Sequence, residues 1–320
     1  MPAVSIIVPV YKSEPYIEEC ARSLFSQTLD DLEFIFIDDC SPDRSMALMQ
    51  QVLESFPGRR AQVRCLRMDV NSGQAAVRMR GIGEASGDYL AFFDSDDTVP
   101  PEACKMLYDC ARRGSHDMVT CDFMQEDSGG HWLRKCGRLP SGSELDALLY
   151  AAAPWNLACR LIRRSVLCDG VEAPAGNMGE DMVITIQAVM KSGSIGHVDA
   201  ALYYYHYRSS STSREPGAEA ALSRTRALQA NVSLLVNKLC SDGRYSEDSP
   251  QIVAFKYYSR HCLEPFVGDA GCYRRWKAVF PEVDKRLLWT PGVKAETKFW
   301  FCMIHLRLYA PLKRITSLFR

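Results

Sequence analysis

Short apolar runs alternate with amphipathic ones along the first part of the chain. Residues 5–10 (SIIVPV) predict a strand that ends at Pro9-Val10-Tyr11. Ile17, Cys20, Ala21, Leu24 and Phe25 then recur at helical spacing and predict a helix within 15–27. Residues 32–37 are apolar again and stop abruptly at Asp38-Asp39. Asp43 is placed to cap a helix running to about Glu54, with Met46, Met49, Val52 and Leu53 on one side. The alternation repeats with a strand at 63–66, a helix at 74–85 and another acid-terminated strand at 89–93 that runs into Asp94. A helix at 101–113, with Pro in its first turn, and a strand at 118–121 follow.

Strands alternating with helices imply βαβ units and a mostly parallel sheet flanked by helices. Runs that are apolar at every position suit strands buried between two helix layers. In open α/β sheets the ligand sits outside the carboxyl ends of the strands. Those ends here carry Tyr11, Asp38-Asp39 and Asp94-Ser95-Asp96-Asp97.

Further along, 128–142 is polar and Gly-rich and reads as a mobile loop, and 143–153 is helical in pattern. Residues 161–166, 182–190 and 195–207 read as the second half of the same domain. A Ser-rich break, RSSSTSREPG at 208–217, precedes an almost wholly helical remainder. The expected division is a catalytic-type domain at 1–212 and a helical region at 213–320.

Composition narrows the class. With 320 residues, 47% hydrophobic and 24% charged, the chain has ample apolar surface for a packed core. A formal net charge of -1 gives no support for a nucleic-acid partner. The 13 cysteines are scattered without a C-x-x-C pair, which argues against zinc ribbons and thioredoxin-type sites. No basic leader with a long apolar run opens the chain, and no stretch approaches a spanning helix, so a cytoplasmic location is expected, with the inner membrane face an option.

The acid cluster carries the chemistry. Two like charges ~4 Å apart repel by about 4 kcal/mol at an effective dielectric near 20, so Asp94, Asp96 and Asp97 need protons or a cation unless they form a solvated turn. Oxygen ligands of this kind suit Mn²⁺ or Mg²⁺ held together with substrate phosphates. Phosphate-cradling loops are missing: there is no G-x-x-x-x-G-K-[ST], and Gly81-Ile82-Gly83 has the wrong spacing and stands at a helix end.

The stretch VSIIVPVYKSEPYIEECARSLFSQTLDDLEFIFIDDCSPD resembles the opening of family 2 glycosyltransferases, whose fold is the GT-A type. NSGQAAVRMRGIGEASGDYLAFFDSDD, CRLIRRSVL, Gly179-Glu180-Asp181 and LYYYHYRSSSTS are similar to the family's later blocks, in the family's order. The resemblance covers roughly the first two thirds of the chain. It implies inverting transfer of a sugar from a nucleotide-sugar donor, UDP-linked, to a saccharide or lipid-linked acceptor, as in surface polysaccharide assembly. A non-catalytic binder of the same fold and a metal-dependent nucleotidyltransferase are the alternatives.

Site roles follow from the resemblance. Asp181 would be the general base; its place before an apolar helix also fits a plain helix cap. Pro9, Val10, Tyr11, Glu14, Asp39, Arg78, Asp94 and Ser95 would bind the nucleotide, Tyr11 against the base, Asp39 at the base edge and Arg78 toward the diphosphate. Asp96, with Asp94 and Asp97, would hold the metal. Trp155, Glu180 and His206 fall to the acceptor side, where a packed strand histidine and a lid tryptophan are the plainer readings. Lys12, Met79, Arg160 and Ile162 stand where the family commonly has other residues.

The C-terminal third lies outside the resemblance. In 298–320, Ile304, Leu308, Leu312, Ile315 and Phe319 follow helical spacing among Lys298, Arg307, Lys313, Arg314 and Arg320, with Pro311 expected to bend the helix. That pattern suits an interfacial helix on anionic lipid, or equally a basic helix packed on protein; homo-oligomerisation is left open.

Overall fold

The computed structural model describes residues 1–127, 130–136, 143–207 and 215–317. Strands β1 (Val4–Val10), β2 (Leu32–Asp38), β3 (Val63–Arg67) and β4 (Tyr89–Phe92) run parallel in the order β3-β2-β1-β4. Helices α1 (Ile17–Phe25), α2 (Ser45–Glu54) and α3 (Gln74–Glu84) connect them. Alternate side chains of β1, β2 and β4 enter two separate cores, while β3 lies at the more exposed edge. Ile6, Val8, Phe34 and Phe36 pack with Leu24, Phe25, Met49 and Leu107, whereas Ile7, Ile35, Ile37 and Phe92 pack with Val77, Ile184 and Ala188. This two-sided burial is why the strands are apolar at nearly every position.

The sheet continues with α4 (Ala103–Gly114), β5 (Met118–Asp127) and β6 (Gly130–Arg134). Beyond them come α5 (Glu144–Leu149), β7 (Arg160–Arg163), α6 (Arg164–Cys168), α7 (Glu180–Lys191) and β8 (Ile195–Tyr205). Here the sheet is mixed: β7 is antiparallel to β4 and β5, β6 is antiparallel to β5, and β8 is parallel to β5. The parallel half is thus the half that carries the acids. Part of the expected 128–142 loop is strand β6, paired with β5 through Trp132↔Gln125 and Leu133↔Met124. Residues 128–129 and 137–142 of that loop, and 208–214 of the Ser-rich break, lie outside the described residues.

Contacts divide the chain into two compact units, Met1–Glu144 with Pro154–Arg208, and Leu145–Ala153 with Ser209–Arg320. The second unit contains most of α5 and then α8 (Ala218–Ser241), α9 (Pro250–Tyr258), α10 (Ala270–Ala278), α11 (Ala295–His305) and α12 (Tyr309–Ser317). Its core gathers Tyr257, Leu263, Trp276, Phe301, Ile304 and Tyr309. The fully buried Arg260 lays its guanidinium 4.6 Å from the Trp276 ring centre and donates to Asp284 at 2.6 Å. Many of the bases and aromatics of this third therefore satisfy each other.

The continuous amphipathic helix expected over 298–320 is two helices. Arg307 adopts φ +62°, which ends α11, and Pro311 stands in the first turn of α12 instead of bending a longer helix. Ile304 is buried while Leu308 is 46% exposed, so they do not share one face. Among the described residues no helix is long and apolar enough to cross a membrane.

Candidate active site

Register brings the acid-terminated strands to one edge. Val10 pairs with Asp38, and the Asp39 N–H donates to the Val10 carbonyl at 3.0 Å. The Phe93 N–H donates to the Ile7 carbonyl at 3.1 Å, which delivers Asp94 beside the same strand.

The β1–α1 loop is fixed from below. Ser13 Oγ lies 2.5 Å from Ser95 Oγ, and the Ser13 N–H donates to Ser45 Oγ at 3.0 Å. The Glu14 N–H donates to Asp43, and Glu14 accepts the Arg44 N–H at 2.9 Å. Asp43 also accepts from the hydroxyls of Ser41 and Ser45 at 2.6 Å each. It thus ties two loops together and, although the residue at the cap position is Arg44, accepts the N–H of Ser45, the first residue of α2, at 3.2 Å. Pro9 and Val10 complete β1, and Tyr11 beyond them is 43% exposed, with Lys12 Nζ 5.2 Å from its ring centre. An aromatic face left open here is available for stacking.

Asp39 is buried and accepts the Ser72 N–H at 2.7 Å and the Gly73 N–H at 2.8 Å. Gly73 has φ +81°, which favours glycine, and a Cβ there would also displace the end of the exposed Asn177 side chain. The next residue, Gln74, donates to Asp94 Oδ1 at 2.8 Å. The turn into α3 therefore runs from one carboxylate to the other.

Arg78, one helical turn further, is 2% exposed and organises the centre. Its Nη2 donates to Asp94 Oδ1 at 2.8 Å, and its Nη1 donates to Glu180 at 2.9 Å and to Asp181. Its Nε is buried without a hydrogen-bond partner. The resemblance assigns Arg78 to the diphosphate; its terminal nitrogens face three acids of the protein itself. Burial works against the charged guanidinium, but Asp181, Asp94 and Glu180 outweigh it and hold the pKa above the ordinary arginine value.

Glu180 and Asp181 open α7. Burial pushes the Glu180 carboxyl up to about 7 against the pull of Arg78, with Asp181 and Asp94 adding repulsion. Burial likewise raises Asp181, opposed by Arg78 and reinforced by Asp94. The Asp181 side chain keeps 29% of its surface open while that of Glu180 keeps 11%, so Asp181 is the one a substrate can reach. Its Oδ2 accepts the Leu157 N–H at 3.2 Å.

Asp97 turns the other way. It is 2% exposed, accepts from the Tyr203 hydroxyl, and accepts the His206 N–H at 2.8 Å. Burial, then Asp96 and Asp94, push its carboxyl up to about 8. His206 is held in place by Thr98 at 2.9 Å and Glu126 at 2.8 Å. Trp155 is half-buried, and its carbonyl accepts from Thr185 at 3.0 Å.

Of the residues singled out from sequence, Arg78, Asp94, Glu180 and Asp181 meet directly, as do Asp97 and His206. Gln74, Tyr203, Ser13 and the Leu157 N–H were not singled out. Only proximity in the fold reveals them, although a hydroxyl two residues after Tyr11 was a weak signal.

The glycosyl transferase family 2 model matches residues 5–169, a span that holds β1–β4 with Tyr11, Asp39, Arg78 and Asp94. The chain belongs to that family. The relative EpsH of Bacillus subtilis (strain 168) is 30% identical over 66% of this chain and 62% of its own length. Two further glycosyltransferase relatives are matched over 36% and 63% of theirs, so the chain spans less than two thirds of these relatives. Among solved structures, S. aureus TarS 1-349 in complex with UDP-GlcNAc superposes with TM-score 0.58 at 20% identity, over 97% of this chain and 88% of that one. Mannosyltransferase PcManGT from Pyrobaculum calidifontis, in complex with GDP-Man and Mn2+, gives 0.56 at 15% identity, over 98% and 87%. At such identities these two establish the fold, which is the GT-A type expected from the sequence.

Proposed function

We propose that this family 2 member is a glycosyltransferase that moves a sugar, with inversion, from a nucleoside-diphosphate donor, UDP-linked, to a hydroxyl of a saccharide or lipid-linked saccharide, as in surface polysaccharide assembly. The observation that carries the reading is Asp181: an accessible carboxylate, raised in pKa and fixed by Arg78 and the Leu157 N–H, at the same edge as Asp94.

Asp181 takes the proton of the acceptor hydroxyl. The freed oxygen attacks the anomeric carbon as the bond to the diphosphate oxygen breaks, and that oxygen keeps the electron pair. A base is most effective when its pKa is near the working pH, and burial moves Asp181 in that direction. Tyr11 offers its face to the base, with Asp39 beneath the turn that borders it. Pro9, Val10, Glu14 and Ser95 would stand on the nucleotide side, as the resemblance implies.

A divalent ion fits the donor set. Among the described residues no three His, Cys, Asp or Glu side chains converge as a metal cage. Mg²⁺ and Mn²⁺ with nucleotides, however, take one or two carboxylates and complete their shell with phosphate oxygens and water. Both Asp97 oxygens already accept hydrogen bonds, so Asp96 with Asp94 would hold the ion. When bound, the ion supplies neutralisation of charge on the departing diphosphate.

Asp181→Asn tests the reading. Transfer should fall by ~10²–10⁴-fold, the usual weight of a general base, while the thermal shift produced by UDP-sugar with Mn²⁺ stays as in the wild type. Transfer at the wild-type rate would place the base elsewhere.

A further inference from the structure

One surface feature of the helical unit involves none of the residues discussed so far. Trp289 is 84% exposed, the most exposed aromatic side chain of the described residues. A lone surface apolar residue needs no explanation. Trp289, however, borders a cleft of about 220 Å³ lined also by Asp248, Pro250, Lys285, Arg286 and Pro291.

The backbone beneath the indole is fixed. Trp289 ends a short 3₁₀ turn, Leu287–Trp289, anchored by the fully buried Leu287 and closed by the Trp289 N–H donating to the Arg286 carbonyl at 2.9 Å. The opposite wall begins at Pro250, the first residue of α9. The Pro291 carbonyl accepts from the Tyr150 hydroxyl at 3.1 Å. Gly292 has φ +79°, and a Cβ there would meet the Tyr150 ring at 2.7 Å, so the chain turns away immediately after the rim. A backbone held this way need not rearrange for the indole to meet a ligand.

Its side chains complement what a pyranose ring presents. One face of a pyranose is a patch of C–H groups, which the negative face of an indole attracts. The ring's edge is hydroxyl, and hydroxyls pair well with ionised groups. Arg286 and Asp248 form an ion pair at 2.5 Å with 46% and 67% of their side chains open, so both retain hydrogen-bonding capacity toward solvent. The volume is below the roughly 300 Å³ where pockets for larger ligands begin, and suits one sugar ring laid on the tryptophan.

The geometry points to Trp289 and the Asp248–Arg286 pair as a docking site for one sugar residue of the acceptor glycan. The inference rests on the glycosyltransferase reading for the class of ligand, but not on Asp181 or the metal. A site of this kind raises the local concentration of a long acceptor without touching the reacting atoms.

The test measures binding with neither donor nor metal present. Maltohexaose, cellohexaose and chitohexaose are titrated by calorimetry into wild type, Trp289→Ala, Trp289→Phe and Asp181→Asn. The expected result is that at least one hexasaccharide binds, that Trp289→Ala weakens it about tenfold, and that Trp289→Phe recovers part of the loss. Asp181→Asn should bind as the wild type does. UDP-sugar hydrolysis by Trp289→Ala should be unchanged, which also shows that this variant is folded. Binding of none of the three sugars, or equal binding by wild type and Trp289→Ala, would overturn the site. So would a shift from dimer to monomer on Trp289→Ala in sedimentation, which would make this face an interface between copies. Loss of the site leaves the Asp181 result standing, and the reverse holds too.

Discussion

Arg78 on α3 and Asp181 on α7 are 103 residues apart in the chain and share a direct ion pair. The same guanidinium binds Asp94 and Glu180, so one buried cation holds three acids. Removing it would leave carboxylates uncompensated in a region where the arginine is only 2% exposed. Breaking a buried pair in this way costs about 3–5 kcal/mol. Arg78→Met should therefore lower the melting temperature sharply. Arg78→Lys keeps a charge but cannot fork toward three partners. It should retain the fold and bind UDP-sugar within a few-fold of wild type while kcat drops, because Asp181 is no longer oriented. A rise in donor KM with kcat unchanged would assign Arg78 to the donor itself, as the family resemblance implies.

Gly81 and Gly83 stand two residues apart on α3 and should respond in opposite directions to the same change. A Cβ on Gly81 would come within 2.4 Å of the Ile7 side chain, so Gly81→Ala forces α3 off β1 and should destabilise by about 1–3 kcal/mol. Gly83 is exposed with nothing within 4 Å, and Gly83→Ala should stabilise by roughly 0.5–1 kcal/mol by restricting the unfolded chain. Urea denaturation of the two variants checks the pair. Equal effects would mean that α3 does not press on β1 as described.

The tips of β2 and β4 were legible because each apolar run is buried on both faces and stops at an aspartate, and that of β1 because its apolar run stops at Tyr11; no tertiary knowledge is needed to see VSIIVPVY or YLAFFD end. The partners of those acids were not. Nothing in the sequence near Asp97 announces Tyr203, 106 residues away, whose hydroxyl turns it inward. Strand β6 was missed for a different reason. It is exposed at every described position, so it shows no buried alternation for a period of two to register. The break at Arg307 escaped because apolar residues keep helical spacing on either side of it, and spacing does not report a single positive φ.

Asp43 gives a pH signature. Burial opposes its ionisation, but the hydroxyls of Ser41 and Ser45 and the N–H groups of Glu14 and Ser45 outweigh burial and hold the carboxyl down at about 2, against an ordinary 3.8. A depressed folded-state pKa contributes stability that is fully present above pH 3.8 and disappears as pH falls toward 2. Asp43→Ala should cost about 1–2 kcal/mol at pH 7 and progressively less below pH 4, measured by denaturant titration across that range. A penalty that is the same at pH 7 and pH 2.5 would show that the hydrogen bonds to the ionised form contribute nothing.

The expected membrane contact of the C-terminal stretch must be tested without removing it. Phe301, Ile304 and Tyr309 are core residues of the helical unit, so deleting 298–320 would unfold that unit and abolish any binding for the wrong reason. Phe299, Leu306 and Leu308 are instead 50%, 62% and 46% exposed, with Lys298 adjoining Phe299 in sequence, whereas the Arg307 guanidinium is turned onto the Tyr273 ring and the Val267 carbonyl. An apolar patch with an adjoining cation is what an anionic lipid surface attracts, and its apolar part contributes about 25 cal/mol for each Å² removed from water. Leu306→Ser with Leu308→Ser should keep the melting temperature within a few degrees and release the protein from phosphatidylserine-containing liposomes in a flotation assay. Raising the salt concentration should release the wild type as well, because the cationic share of the attraction is screened. Flotation unaffected by both substitutions and salt would leave the exposed leucines with no membrane role.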